Sequence, residues 1–165
     1  MENLRTGEKI AGISGIALIL IMFIFDWFSV SAAGGIGPSF GGNAWDVFDV
    51  IDIVLFITSI AAIGLAVAAM TQSAPNMPVA LSAIVTGLGA LSVLLVLYRI
   101  ISPPDGGLGD LIDVSRSIGV FLGLIAAAGI TYGGWRAMSE EGTSFGQQAD
   151  RLGGGNAPPP SAPQA

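Results

Sequence analysis

Asp46, Asp49 and Asp52 recur at every third position, and an apolar run opens at Ile53. Carboxylates in a row could hold a cation. Asp26, Asp105, Asp110 and Asp113 could add oxygens, and Arg99 and Arg116 fall in the same stretches of sequence. Calcium takes about 6–8 oxygens, usually from a loop with a sharp glycine turn. Three helical residues fall short of a full turn by ~60°, so the three aspartates make a stripe ~120° wide. Such a stripe does not converge on one ion, and the acidic-loop spacing of an EF-hand is absent. The row therefore reads as a charged cap. Carboxylates at a helix start favour its positive end by ~0.3–1 kcal/mol each, and they stop the helix sliding into lipid. Asp52 is the deepest of the three and needs a partner. Arg99 is expected to pair with Asp52 or Asp49, and Arg116 with Asp113 or Asp26.

Other chemistry has little to work with. The chain has no cysteine and no histidine, which excludes disulfides, thiolates, Cys/His zinc sites and histidine relays. Ser14, Thr58, Ser59, Ser82, Thr86 and Ser92 lie in apolar runs with no base beside them, so none is a credible nucleophile. They are expected to bond to the carbonyl four residues back or across helices. No catalytic residue, metal ligand or cofactor site is assigned. A formal charge of −6 argues against nucleic acid as a partner.

The elements that would carry these residues are set by composition. Of 165 residues, 52% are hydrophobic and 11% charged, with a mean hydropathy of +0.74. A soluble domain carries about 25% charged residues, so this chain cannot cover a water-facing surface. Four runs, about residues 10–28, 51–71, 78–100 and 117–136, are each close to the ~20 apolar residues that cross a bilayer. Backbone amides in lipid must bond internally, so the runs are helices. The expected fold is an all-α membrane protein, a four-helix transmembrane bundle over residues 1–138 with a disordered Gly/Pro-rich cytoplasmic tail over 139–165. A P-P-P run in the tail could dock a polyproline-reading groove, but a solvated tail is the simpler reading.

T-Q-S-A-P-N-M-P after Met70 reads as a tight turn, making spans two and three an antiparallel hairpin. Four spans put both termini on one side, with Arg5, Lys9, Arg136 and Arg151 there and only Arg99 and Arg116 opposite. By the positive-inside rule both termini are cytoplasmic. Trp27, Trp45 and Tyr98 are then expected at the outer interface, and Tyr132 and Trp135 at the inner one. A competing reading makes residues 1–32 a signal peptide ending V-S-A. Its apolar stretch is long for that role and D-W-F interrupts it, so the first span is retained.

No ionisable residue occupies the middle of a span, which argues against ion-coupled transport. Small residues are frequent instead. Gly119 and Gly123, then Gly129 and Gly133, form two G-x-x-x-G rows on the fourth span, and Ala11/Gly15, Gly64/Ala68 and Ala83/Gly87 repeat the spacing elsewhere. Such rows let helix backbones approach closely. Packing within the chain is the first reading, and a homo-oligomer along a fourth-span row is the second. Ser29 to Gly42 is either a flexible loop or a short hairpin, with Ile36 and Phe40 as anchors, although its glycines weaken any strand.

G-E-K-I-A-G-I-S-G opens the first span and N-A-W precedes the second, which contains I-D-I. Y-R-I-I-S-P-P follows the third, and F-L-G-L-I-A-A-A-G-I-T-Y-G-G-W-R-A-M ends the fourth. Over most of Gly7 to Met138 these segments resemble a group of small four-span membrane proteins of high-GC Gram-positive bacteria. The resemblance implies a plasma-membrane location and gives no residue a catalytic role. Taken together, the expectation is a non-enzymatic multi-pass membrane protein with a structural, scaffolding or partner-binding role. Its partners would be the lipid bilayer and another membrane protein or a second copy. The alternative is a channel or transporter subunit acting as an oligomer.

Overall fold

The computed structural model describes residues 4–32, 34, 38–47, 50–71, 80–103, 111–140 and 142. Four helices dominate: α1 (Thr6–Ile24), α3 (Ile51–Thr71), α4 (Ala80–Ile101) and α5 (Ile118–Glu140). Each is long and apolar enough to cross a membrane. A short helix, α2 (Ala44–Val47), precedes α3, and three strands, β1 (Phe28–Ala32), β2 (Phe40–Gly42) and β3 (Ile112–Arg116), lie in the connections. The turn expected between α3 and α4 and most of the expected disordered tail lie outside the described residues, but α5 continues through Ser139 and Glu140, two residues into the stretch expected to be disordered.

The helices are apolar all round. Ile13, Ile57, Leu94 and Ile125 are among many large aliphatic side chains at least half exposed. A water-soluble monomer rarely shows apolar surface on that scale, whereas hydrocarbon solvates it at no cost. The core between the helices holds Leu18, Met22, Leu55, Leu65, Val85, Val96, Val120 and Ile130.

Sequential helices are neighbours. α1 packs on α3 and α5, and α4 packs on α3 and α5, leaving α1 and α4 on a diagonal. Small residues set the contacts. A methyl added at Gly12 of α1 would stand 2.6 Å from Ala66 Cβ of α3, and one at Gly15 would stand 2.9 Å from the Ser59 carbonyl. Gly133 of α5 abuts the Ala11 backbone of α1, and Gly134 and Gly89 carry Thr86 and Thr131 between α4 and α5. These contacts run antiparallel: Gly7 meets Ala137 at one end of the α1/α5 seam, and Gly123 meets Trp27 at the other. Both chain-terminal helix ends therefore share one end of the array, and β1, β2 and β3 share the other.

Hydroxyls inside the array are used locally. Thr58, Ser59, Thr86 and Thr131 each donate to the carbonyl four residues back at 2.7–2.9 Å. Thr58 Oγ1 also meets Ser92 Oγ at 2.9 Å, joining α3 to α4. An interhelical bond of this kind contributes ~0.6 kcal/mol.

The expectation of an all-α chain is corrected by the sheet. Its order is β2-β1-β3, antiparallel throughout. β1 pairs Phe28 with Gly42 and Val30 with Phe40 on one side, and Phe28 with Arg116 through Ala32 with Ile112 on the other. The hairpin reading of Ser29 to Gly42 thus describes β1 and β2. The glycines there do not prevent pairing, because the longer β3 supplies the second edge of β1. Phe40, expected as an anchor into the bundle or the membrane interface, is 72% exposed and so is not buried in the bundle, while Ile36 lies outside the described residues. The first helix also stops sooner than residue 28: Phe25 turns extended (φ −102°, ψ 139°). The alternating F-S-V-S-A that follows suits a strand, and Trp27 N–H bonds to Gly42 O at 2.8 Å instead of to a helical carbonyl.

Candidate functional site

The sheet end of the molecule gathers most of the charged residues singled out in the sequence. Its hub is the pair Asp26–Trp27. Beyond α1 the chain is held on two sides: Trp27 N–H donates to Gly42 O of β2 at 2.8 Å, and Ser117 N–H donates to Trp27 O and Gly119 N–H to Asp26 O, both at 3.0 Å. The end of α1, β2 and the start of α5 are thereby tied to two consecutive residues. Trp27 is fully buried, and its indole Nε1–H donates to Ile21 O at 3.2 Å. The ring lies on Gly119 and Gly123, where any side chain would strike it.

Trp27 is therefore not part of an interfacial aromatic belt, as expected, but a plug in the α1/α5 seam. Its position follows from the two glycines, which leave a slot the size of an indole. The same contact disposes of one glycine row as a docking face for a second copy. The other row is covered too, since Gly129 lies against the Ser14 side chain and Gly133 against Ala11. Tyr98, Tyr132 and Trp135 are each about half exposed. Trp45 is partly buried between α1 and α3, with ring centroids 5.5 Å from Phe23 and 5.7 Å from Phe56.

The acidic row does not lie on one helix. Asp46 belongs to α2 and Asp52 to α3, with Val50 a bend between them. Asn43 Oδ1 accepts from the N–H groups of Trp45 (2.9 Å) and Asp46 (3.2 Å), and Asp46 Oδ2 accepts from Asn43 N–H at 3.2 Å. That reciprocal cap starts α2; its signal is the three-residue spacing of Asn43 and Asp46, which the reading of the aspartates as one row passed over. Asp52 is 3% exposed, and its Oδ1 accepts from Ile53 N–H at 3.0 Å in the first turn of α3. Asp113 Oδ2 accepts from Gly34 N–H at 3.1 Å, which holds the chain beyond β1. The Asp26 carboxylate stands over Gly41 of β2.

The expected ion pairs take a different form. Arg116 meets neither Asp113 nor Asp26; its Nε donates to Ile100 O at 2.6 Å. The last turn of α4 leaves its carbonyls without helical partners, and a guanidinium one strand away satisfies one of them and complements the helix dipole. Asp52 Oδ1 is taken by the backbone of its own helix and no ion pair joins it to Arg99 among the described residues; the other expected partner of Arg99, Asp49, lies outside them. Asp49, Asp105 and Asp110 lie outside the described residues. Among the described residues no three acidic side chains come together as a metal site would require.

The opposite end has its own clasp, unseen in the sequence. Glu140, last in α5, accepts from Gly7 N–H of α1 at 3.2 Å through Oε2 and from Arg136 Nε at 3.0 Å through Oε1. Arg136 also donates to the Tyr132 hydroxyl at 3.3 Å. Glu8, 3% exposed, accepts from Arg5 N–H at 2.9 Å. Comparison with protein families, with curated proteins and with solved structures returns no match.

Proposed function

We propose that the chain is a multi-pass protein of the plasma membrane. Its four helices form a transmembrane bundle with both termini cytoplasmic, and its role is structural, scaffolding or partner-binding and not enzymatic. Arg5, Lys9 and Arg136 stand at the end of the array that carries the termini, and Arg99 and Arg116 at the sheet end. That imbalance supports the orientation. The resemblance to small four-span proteins of high-GC Gram-positive bacteria is in keeping with it. The observation that carries the role is the sheet. Two connections far apart in sequence are knitted into one strand ladder and fastened to the helix ends at Asp26, Trp27 and Ile100. A cap fixed in this way presents a constant surface to a partner, and Asp46, Asp52, Asp113 and Arg116 around it are engaged with backbone.

The test is chemical crosslinking in native membranes from cells expressing the tagged chain, read by mass spectrometry. A reproducible second protein, linked through residues of the cap, is the expected result. Recovery of the chain alone as a ring of copies would instead favour a channel or transporter subunit. One feature supports that second reading: Gly64 of α3 and Gly87 of α4 have no atom within 4 Å of where a side chain would begin, so small-residue faces on those helices remain open.

A further inference from the structure

Two apolar grooves run along the outside of the helices toward the end that carries the termini. One lies between α4 and α5, about 530 Å³, with Val93, Leu94, Tyr132 and Trp135 among its lining. The other lies between α1 and α3, about 430 Å³. They differ in the charge at the mouth. Arg136, beside the first, is already held by Glu140 and Tyr132. Lys9, which lines the second, makes no ion pair among the described residues and is exposed.

The second groove has a simple origin. Gly12 and Ala66 let α1 and α3 touch, which makes a shallow floor. Ile13 and Ile16 on one helix, and Ile63 and Val67 on the other, stand up as walls. From Ile16 to Lys9 the trough extends ~10 Å along α1 at ~1.5 Å per residue. Its lining is apolar along its length, and Lys9 lines it toward the end that carries the termini.

We propose that this trough binds one anionic phospholipid, an acyl chain lying between α1 and α3 and the headgroup phosphate meeting Lys9 Nζ. The assignment rests on the membrane reading above and on the charge complementarity of its single uncommitted cation with a phosphate. A lysine on a flexible stem suits a headgroup whose depth varies. One cation near a membrane surface contributes about 1 kcal/mol toward an anionic lipid, equivalent to about fivefold in preference.

The experiment uses the full chain reconstituted in vesicles of equal phosphatidylglycerol and phosphatidylcholine with identical acyl chains. Retained lipid is read by native mass spectrometry. Wild type should keep phosphatidylglycerol about fivefold over phosphatidylcholine. Lys9→Gln should erase that preference, and Val67→Trp, which fills the trough, should remove the bound lipid. Both positions are exposed, so folding is expected to survive, and helix content by circular dichroism verifies it. An unchanged preference in Lys9→Gln, unchanged retention in Val67→Trp, or displacement by inorganic phosphate would overturn the proposal. So would its loss in Arg136→Gln alone. A chain that does not partition into vesicles would instead overturn the membrane reading itself.

Discussion

At the residue scale, the glycines separate into two kinds that sequence spacing does not distinguish. Gly123 is pressed against the Trp27 indole, whereas Gly64 faces open space. Gly123→Val should therefore lower stability by ~1–3 kcal/mol through overpacking, and Gly64→Val should stay within ~0.5 kcal/mol of wild type. Unfolding of the purified chain in mixed micelles measures both, and equal effects would show that the indole is not seated on Gly123. The charged residues make a similar point. Arg116 was readable as a cation needing an acceptor, but not that the acceptor is a carbonyl at the end of α4. A helix terminus offers several unpaired carbonyls, and only the fold brings one within reach of a given arginine. The reciprocal cap of Asn43 and Asp46 is the opposite case, because its partners are three residues apart and need no tertiary structure.

At the element scale, the sheet joins two connections that lie far apart in the sequence. β1 and β3 are joined through pairs such as Ser29 with Ser115. Directly opposed antiparallel residues have Cα atoms about 4.5–5.5 Å apart, within the span of a disulfide. Because the chain has no cysteine of its own, the double variant Ser29→Cys/Ser115→Cys should form a single intramolecular bond on mild oxidation. Its electrophoretic mobility should shift under non-reducing conditions, and Ser29→Cys/Phe40→Cys, one residue out of line in the β1–β2 ladder and so on opposite faces of the sheet, should react more slowly. The reverse ranking would place the strands in another register. The signal for β3 was present in I-D-V-S-R, where Ile112 and Val114 are half-buried and Asp113 and Ser115 exposed. Five alternating residues are a weak signal beside four apolar helices, and a strand becomes one only when its partner arrives.

At the scale of the whole molecule, the antiparallel contacts put the beginning of α1 and the end of α5 together, with the sheet opposite. Orientation in a membrane follows as a testable expectation. In intact cells a membrane-impermeant maleimide should label Phe40→Cys, and Ser139→Cys only after permeabilisation. The reverse pattern would place the cap in the cytoplasm. The lack of native thiols makes each single variant a clean reporter.

The apolar runs alone determined that there are four long apolar helices, because each run has about the ~20 residues a helix needs to cross a bilayer with its backbone bonded internally. Composition also determined that no histidine or cysteine chemistry is present, since absence of a residue type needs no fold to establish. Local spacing determined the cap of α2. Tertiary structure alone decided which glycines are filled, where Trp27 goes, and that two outer connections become one sheet. Each of these depends on atoms separated by many residues meeting at van der Waals or hydrogen-bond distance. A one-dimensional pattern carries the capacity for such contacts but not the choice among them.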